Sequence, residues 1–333
     1  MLAQWQPDCI VLFGQARLYH KIAIERARAM DVPVVVMEEG YFRPGYVTME
    51  LGGVNAYSTT LDRFQWIASV ENNQPLGYPT DLSRIHFQKM AWHASNHYIA
   101  MRQQSSLYPQ YVHHRDVDPE TYARYWVRSW VRKVARRSGD RKVQRWLINS
   151  RQPYFFVPLQ LEGDSQLTHH SGFAGNCQFI FEVLTSFKAH APAGSLLVFR
   201  QHPHARGGPG HAAFIRGAAE GLGIGARVRH LVEGDTPDLA EHALGTVVIN
   251  STVGLQTLER GAPLIALGEA LYDRPGLTFQ GPLDQFWSGR TRPDPSVARA
   301  FLAQLKHLTQ APCSVYALRS EPLLWSSLLQ PRV

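Results

Sequence analysis

Residues 196–205 read LLVFRQHPHA. Leu196, Leu197, Val198 and Phe199 have the length and composition of a buried strand. The run ends abruptly in Arg200, Gln201, His202, Pro203 and His204, then in the turn-forming Arg206-Gly207-Gly208-Pro209-Gly210. Pro203 stops a strand, and the glycines let the backbone turn sharply. In a parallel sheet the cation and imidazoles would emerge at the strand's carboxyl end, where open α/β sheets bind ligands. Cationic and hydrogen-bonding groups there suit an anion, most naturally a phosphate.

The neighbouring sequence supports a parallel sheet. YFFVPLQLE (154–162), RVRHL (227–231), GTVVINS (245–251) and PLIALG (263–268) are further short apolar runs, separated by segments long enough for helices. Alternation of this kind implies βαβ units. Towards the N-terminus, DCIVLFG (8–14) and DVPVVVM (31–37) read as strands around a helical stretch at 18–30. Long helices with spaced aromatics are expected at 85–105 and 119–148. The expectation is an α/β protein of two Rossmann-like domains facing a cleft, residues 1–150 and 151–333. The first strand begins almost at Met1, so the N-terminal domain is expected to be short.

Other strand ends carry chemistry as well. GTVVINS runs into Asn250-Ser251-Thr252 and an amphipathic LQTLERG, so Ser251 or Thr252 is expected to cap a helix whose free amides favour a phosphate. YFFVPLQLEGDSQ ends in Gln160, Glu162 and Asp164, and VPVVVMEEG ends in Glu38-Glu39-Gly40. Carboxylates on both sides of one cleft fit sugar chemistry, with one as nucleophile and the other as acid or base. Alternation along the strand end puts only one of Glu38 and Glu39 in the cleft.

Composition narrows the classes. The chain has 333 residues, 44% hydrophobic and 18% charged, which describes a globular protein with room for two cores. Its three cysteines (Cys9, Cys177, Cys313) are far apart and lack metal-ligand spacing, which favours a reducing compartment over a disulfide framework or zinc site. No stretch approaches ~20 apolar residues, and no secretory signal is legible. A cytoplasmic location is the default expectation.

The net charge of +7 is concentrated. From Tyr122 to Arg151 there are ten Lys/Arg and one acid, Asp140. Arg124, Arg128, Arg132 and Arg136 fall four apart, and Tyr122, Trp126, Trp130 and Val134 form a parallel row. A basic face beside a tryptophan-rich one suits an anionic membrane surface, with Arg124, Trp126, Arg128, Trp130 and Arg132 as contact residues. A solvated face over an ordinary core contact is the plainer alternative. Basic charge without a nucleic-acid motif does not make a nucleic-acid site, and none is expected.

Four stretches carry a family resemblance: EEGYFRPGYVTMELGGVNAYS (38–58), FFVPLQLEGDSQLTHHSGF (155–173), FRQHPHARGG (199–208) and VINSTVGLQTLERGAPLIALGEALYDRPGLT (248–278). They resemble the capsule polysaccharide synthesis family of Gram-negative bacteria, within it most closely the KpsS (LipB-type) members, in the family's order over nearly the whole chain. Those members begin with a further strand–helix–strand segment, which this chain is expected to lack. The resemblance implies a GT-B-like fold and a retaining β-Kdo transferase. Its donor would be CMP-β-Kdo and its acceptor a (lyso)phosphatidylglycerol head group at the inner membrane, starting the poly-Kdo linker of capsular polysaccharide. It also implies a KpsC-type transferase as a partner, with the capsule export complex and a peripheral inner-membrane location as further expectations. No cofactor is expected, and no metal, because Arg200, His202 and the helix at Ser251 leave a divalent ion no role and no acidic cluster resembles a nucleotide–metal site.

Residue by residue, the family's E-[ED]-G motif falls on Glu38, Glu39 and Gly40. The histidine-proline motif falls on His202 and Pro203, and the serine-threonine motif on Ser251 and Thr252. These motifs are also similar to those of bacterial sialyltransferases that use CMP-sugars. The Q-x-E-x-D element falls on Gln160, Glu162 and Asp164. On this reading Asp164 is the nucleophile, Glu39 the base and His202 a catalytic donor to the leaving phosphate. Gln160, Glu162, Arg200, His204, Asn250, Ser251 and Thr252 are then donor-binding. A GT-B-fold sugar-nucleotide epimerase and a non-catalytic capsule-assembly scaffold are the two rival readings.

Overall fold

The computed structural model describes residues 2–42, 45–60, 82–111, 119–163, 167 and 170–311. After a helical turn at Leu2–Trp5, the chain runs β1 (Ile10–Phe13), α1 (Leu18–Arg28), β2 (Val34–Glu39) and β3 (Val47–Leu51). Two long helices follow, α2 (Leu82–Gln103) and α3 (Pro119–Asn149). Then come β4 (Tyr154–Pro158), α4 (Asn176–His190), β5 (Leu196–Arg200), α5 (Ala212–Gly221), β6 (Val228–Leu231), α6 (Thr236–Glu241), β7 (Gly245–Val248), α7 (Val253–Glu259) and β8 (Leu264–Ala266). The described chain closes with α8 (Leu283–Gly289), α9 (Pro295–Thr309) and β9 (Gln310–Ala311).

The chain divides into two compact units, residues 1–120 with 300–333, and residues 121–299. The sequence placed this boundary near residue 150. Long-range contacts account for the difference. In α3, Asp140 Oδ2 accepts the backbone N–H groups of Val232 (2.9 Å) and Glu233 (3.0 Å), and Gln144 Oε1 accepts that of Asp235 (2.8 Å). Leu147 packs in one apolar cluster with Tyr154, Phe156 and Val198. Most of α3 therefore belongs with the strands that follow it. At the other end β9 pairs with β3, which returns the C-terminal chain to the first unit.

The second unit is the α/β sheet expected from the sequence. Its five strands are all parallel, in the order β6-β5-β4-β7-β8. Numbered by appearance this is 3-2-1-4-5, a Rossmann order whose direction reverses between β4 and β7. Both faces are covered, so the strands read as continuous apolar runs: all five residues of β4 and all four of β7 are buried. Helix α4 packs Phe179, Ile180, Val183, Leu184 and Phe187 on one face of the sheet. Phe155 meets Trp287 edge-on at 4.8 Å there, and the Trp287 indole donates to Ser186 Oγ at 2.7 Å.

The first unit departs from a pure Rossmann pattern. Its sheet has the order β1-β2-β3-β9, with only β1 and β2 parallel. Seven residues, 40–46, separate β2 from β3, too few for a parallel crossover, so the chain makes a hairpin. Gly40 donates its N–H to the Tyr46 carbonyl at 2.9 Å, and any Cβ on Gly40 would overlap that carbonyl. On the far side of the hairpin Glu50 is buried, with Tyr41, Ser58 and Thr60 hydroxyls donating to its carboxyl. Burial raises the Glu50 pKa despite those bonds.

His230, on β6, has a consequence for stability. Among the described residues neither of its buried ring nitrogens has a hydrogen-bond partner. Burial first, then Arg136 and His211, push its pKa from the ordinary 6.5 down to about 4. The unfolded chain therefore takes up this proton before the folded one. Stability should fall as pH drops from about 6.5 through about 4, each pKa unit being worth about 1.4 kcal/mol, and should be unaffected by His230 above that range. Urea midpoints across this range should fall less steeply for His230→Leu than for the wild type. Parallel pH dependences would show that His230 titrates normally.

Candidate functional site

The carboxyl ends of β4, β5 and β7 carry Gln160 and Glu162, Arg200, His202 and His204, and Asn250, Ser251 and Thr252, with the strand order reversing between β4 and β7. β4 and β7 pair only at Phe155–Gly245 and Phe156–Thr246, whereas β4 and β5 pair at five positions. Past those two pairs the amides of Gln160 and Asn250 bridge the strands. Gln160 Nε2 donates to Asn250 Oδ1 at 2.9 Å, and the Asn250 backbone N–H donates to Gln160 Oε1 at 3.2 Å. Asn176, wholly buried at the start of α4, exchanges hydrogen bonds with the Gln160 backbone, and Asn250 Nδ2 donates to the His170 carbonyl. Gln160 and Asn250 are 5% and 8% exposed, so they frame the site from within. Asn176 and His170 were not singled out in the sequence, where nothing links them to residues 16 and 80 positions away.

At the β7 exit the cap comes from Ser251, whose Oγ accepts the Val253 N–H at 3.3 Å; Thr252 makes no capping bond. Tyr272 donates its hydroxyl to the Ser251 carbonyl at 2.6 Å and fixes the turn. Ser251 and Thr252 are half-buried.

At the β5 exit the three basic side chains part ways. Arg200 turns aside and donates Nε and Nη2 to the Gly234 carbonyl at 3.2 and 2.9 Å. Burial, then Arg206, pull its pKa down to about 10, while Glu233 and Asp235 act in the opposite sense. Arg200 thus braces the loop after β6. His202, half-buried, accepts the His204 backbone N–H on Nδ1 at 3.1 Å. A nitrogen that accepts carries no proton, so the neutral ring in this geometry has its N–H on Nε2. His204 is exposed, its ring 5.5 Å from that of His202 and edge-on to Trp126 at 6.2 Å.

Helix α3 holds this turn in place. Tyr125 donates its hydroxyl to the His204 carbonyl, and Arg132 Nη1 donates to the carbonyls of Arg206 (2.7 Å) and Gly208. This divides the five residues expected on a membrane-facing row. Trp126 and Arg132 are half-buried against the turn, because only they reach it. Arg124, Arg128 and Trp130 face outward, joined by Val127, Val131 and Val134.

Glu162, past β4, receives His211 Nε2 on Oε1 at 2.7 Å; His211 also lay outside the sequence expectations. Asp164 lies outside the described residues. In the first unit, Glu38 Oε2 accepts Asn55 Nδ2 at 2.8 Å, whereas alternation directs Glu39 to the opposite face of β2, the face that carries Val35 and Met37. Among the described residues no group of three His, Cys, Asp or Glu side chains is placed to hold a metal ion, and no helix is long and apolar enough to cross a membrane.

The chain is 35% identical to the capsule polysaccharide export protein KpsS of Escherichia coli, over 94% of this chain and 80% of that one. It is 33% identical to the capsule polysaccharide modification protein LipB of Neisseria meningitidis serogroup B, over 95% of this chain and 76% of that one. A solved structure, the Thermosulfurimonas dismutans KpsC β-Kdo 2,4 transferase, matches 88% of this chain and 78% of its own at 16% identity, with a TM-score of 0.46. The family model for capsule polysaccharide biosynthesis proteins matches residues 8–316. With three motif-bearing strand ends on the adjacent strands β5, β4 and β7 of one Rossmann sheet, the chain belongs to the capsule polysaccharide biosynthesis protein family, alongside its KpsS and LipB members.

Proposed function

We propose that this protein is a retaining, GT-B-like glycosyltransferase that moves the first β-Kdo from CMP-β-Kdo to (lyso)phosphatidylglycerol, starting the poly-Kdo linker of a capsule. The observation that carries the reading is the gathering of Gln160, Glu162, His202, Ser251 and Thr252 at the carboxyl ends of β4, β5 and β7. Those residues match the family's motifs, and a strand-order reversal is where such sheets bind nucleotides.

The reaction proceeds by double displacement. The Asp164 carboxylate bonds to the anomeric carbon of Kdo as the bond to the CMP phosphate oxygen breaks. CMP leaves with the electron pair. His202 meets the developing charge through its Nε2–H, and the Ser251 and Thr252 hydroxyls and the backbone at the start of α7 do the same. Glu39 then takes the proton of the acceptor hydroxyl, whose oxygen displaces Asp164 with net retention. Arg200 acts at one remove, by holding Gly234. No cofactor enters this scheme, and a KpsC-type transferase and the export machinery are its natural partners.

Helix α3 supplies the approach to the lipid. Val127, Trp130, Val131 and Val134 are 51–66% exposed at helical spacing, and Arg128, Arg137 and Arg141 beside them are exposed as well. An apolar stripe flanked by cations fits the surface of an anionic bilayer and a peripheral inner-membrane location.

Incubation with CMP-Kdo and no acceptor should leave one Kdo covalently attached within LEGDSQ. Asp164→Asn should abolish it, because an amide is a poor nucleophile, and Glu39→Gln should let it accumulate. Robust transfer by Asp164→Asn overturns the double displacement, and no turnover of CMP-Kdo by the wild type favours a scaffold. His202→Ala should lose on the order of 10²-fold in rate while remaining folded; near-normal activity removes His202 from the mechanism.

Vesicle binding should weaken as salt shortens the Debye length from about 10 Å at 0.1 M to about 3 Å at 1 M. Arg128, Arg137 and Arg141, changed together to Glu, should release the protein from anionic vesicles and leave transfer to a short soluble acceptor nearly unchanged. Equal binding to neutral and anionic vesicles refutes this role for α3.

A further inference from the structure

Glu162 and His211 are 49 residues apart, one just past β4 and the other immediately before α5. The imidazole is 9% exposed as a residue, whereas the Glu162 side chain is 53% exposed. A nitrogen facing a carboxylate at 2.7 Å must carry a proton, so Nε2 is the N–H. Among the described residues Nδ1 is buried without a partner. A bare lone pair tolerates that better than an orphaned N–H, so the geometry fits Nε2 as the ring's donor.

The other carboxylate oxygen lies against the start of α4. A Cβ on Gly175, the residue before that 15-residue helix, would stand 3.2 Å from Glu162 Oε2, closer than side chains normally pack. Free amides and the helix dipole favour negative charge at this end. Cys177, in the first turn of α4, has its thiol pushed up by burial first and by Glu162 second. Among the described residues, Cys177 on α4 interacts electrostatically with Glu162, and His230 on β6 with His211 and with Arg136 on α3.

We propose that His211 is a positioning residue that pins the Glu162 carboxylate over the start of α4. It thereby fixes the direction of the Glu162 side chain two residues beyond Gln160. The first helix N-terminus of this Rossmann sheet is then filled by the protein's own anion, which leaves a ligand's phosphate to the β5 and β7 exits. The effect on catalysis rests on the transfer reading above; the placement of Glu162 does not.

The test has two arms, using the full chain with Cys9 and Cys313 changed to Ser. Cys177 alkylation against pH reports where the Glu162 charge sits without any need for activity. Glu162→Gln and His211→Ala should both lower the pH at which Cys177 reacts. His211→Gln, whose amide N–H reaches the place of Nε2, should restore the wild-type profile. If His211→Ala does not fold, His211→Asn replaces it, since its amide reaches only the place of Nδ1. An unchanged Cys177 profile in the Ala or Asn variant overturns the proposal whatever the activity.

The second arm separates KM from kcat for transfer. Glu162 is read as a donor-binding residue, so His211→Ala should raise the KM for CMP-Kdo on the order of 10-fold with kcat changed less, and His211→Gln should restore it. A KM that stays in place while Cys177 shifts also overturns the positioning role. A shifted Cys177 in a protein whose wild type transfers no sugar upholds the placement of Glu162 and counts against the transfer reading instead.

Discussion

The parting of β4 from β7 is the constraint on which the second unit is built. Two parallel strands whose helices lie on opposite faces of the sheet cannot pair along their whole length, and here pairing stops after Phe156 and Thr246. Backbone groups beyond that point still need partners, and each one left buried and unpaired would cost about 1–3 kcal/mol. The Gln160–Asn250 exchange and the Asn176 bonds supply them. The same amides fix where the two strand exits stand, so Glu162 and Ser251 inherit their places from a solution to a hydrogen-bonding problem.

The β5 exit is held from a different direction. Its turn contains Pro203 and three glycines, which form little regular structure of their own, and α3 supplies the missing bonds through Tyr125 and Arg132. One helix thus has two duties. Its inner side orders the turn that carries His202 and His204, and its outer side presents cations and exposed apolar residues. Asp140, the single acid of the basic segment, is buried and accepts the Val232 and Glu233 N–H groups on Oδ2, while its Oδ1 pairs with the exposed Arg136 at 3.7 Å.

The first unit shows how a short connection changes a sheet. The β2–β3 hairpin brings Glu50, Tyr41 and Asn55 around Glu38, and the antiparallel register sets Glu38 opposite Thr48 and Glu39 opposite Val47. Adjacent carboxylates that look equivalent in Glu38-Glu39 therefore differ: one is bonded to Asn55, and the other is turned to the far face.

Much of the architecture was legible in the sequence, because strands and helices follow local period and composition. The runs 154–162, 195–201, 227–231, 245–251 and 263–268 each contain an observed strand, and the long helix expected at 119–148 spans Pro119–Asn149. The strand ends that carry motif residues were legible for the same reason. What the sequence could not supply was the partner each polar side chain takes. Arg200 reads as a ligand cation but binds Gly234, 34 residues on. Trp126 and Arg132 read as surface residues but face the 204–208 turn. The β9 strand has two residues and no period at all, and it exists because β3 offers it an edge. A side chain's direction on its own element is local information; its hydrogen-bond partner depends on contacts between distant segments, and those were decided by the tertiary structure alone.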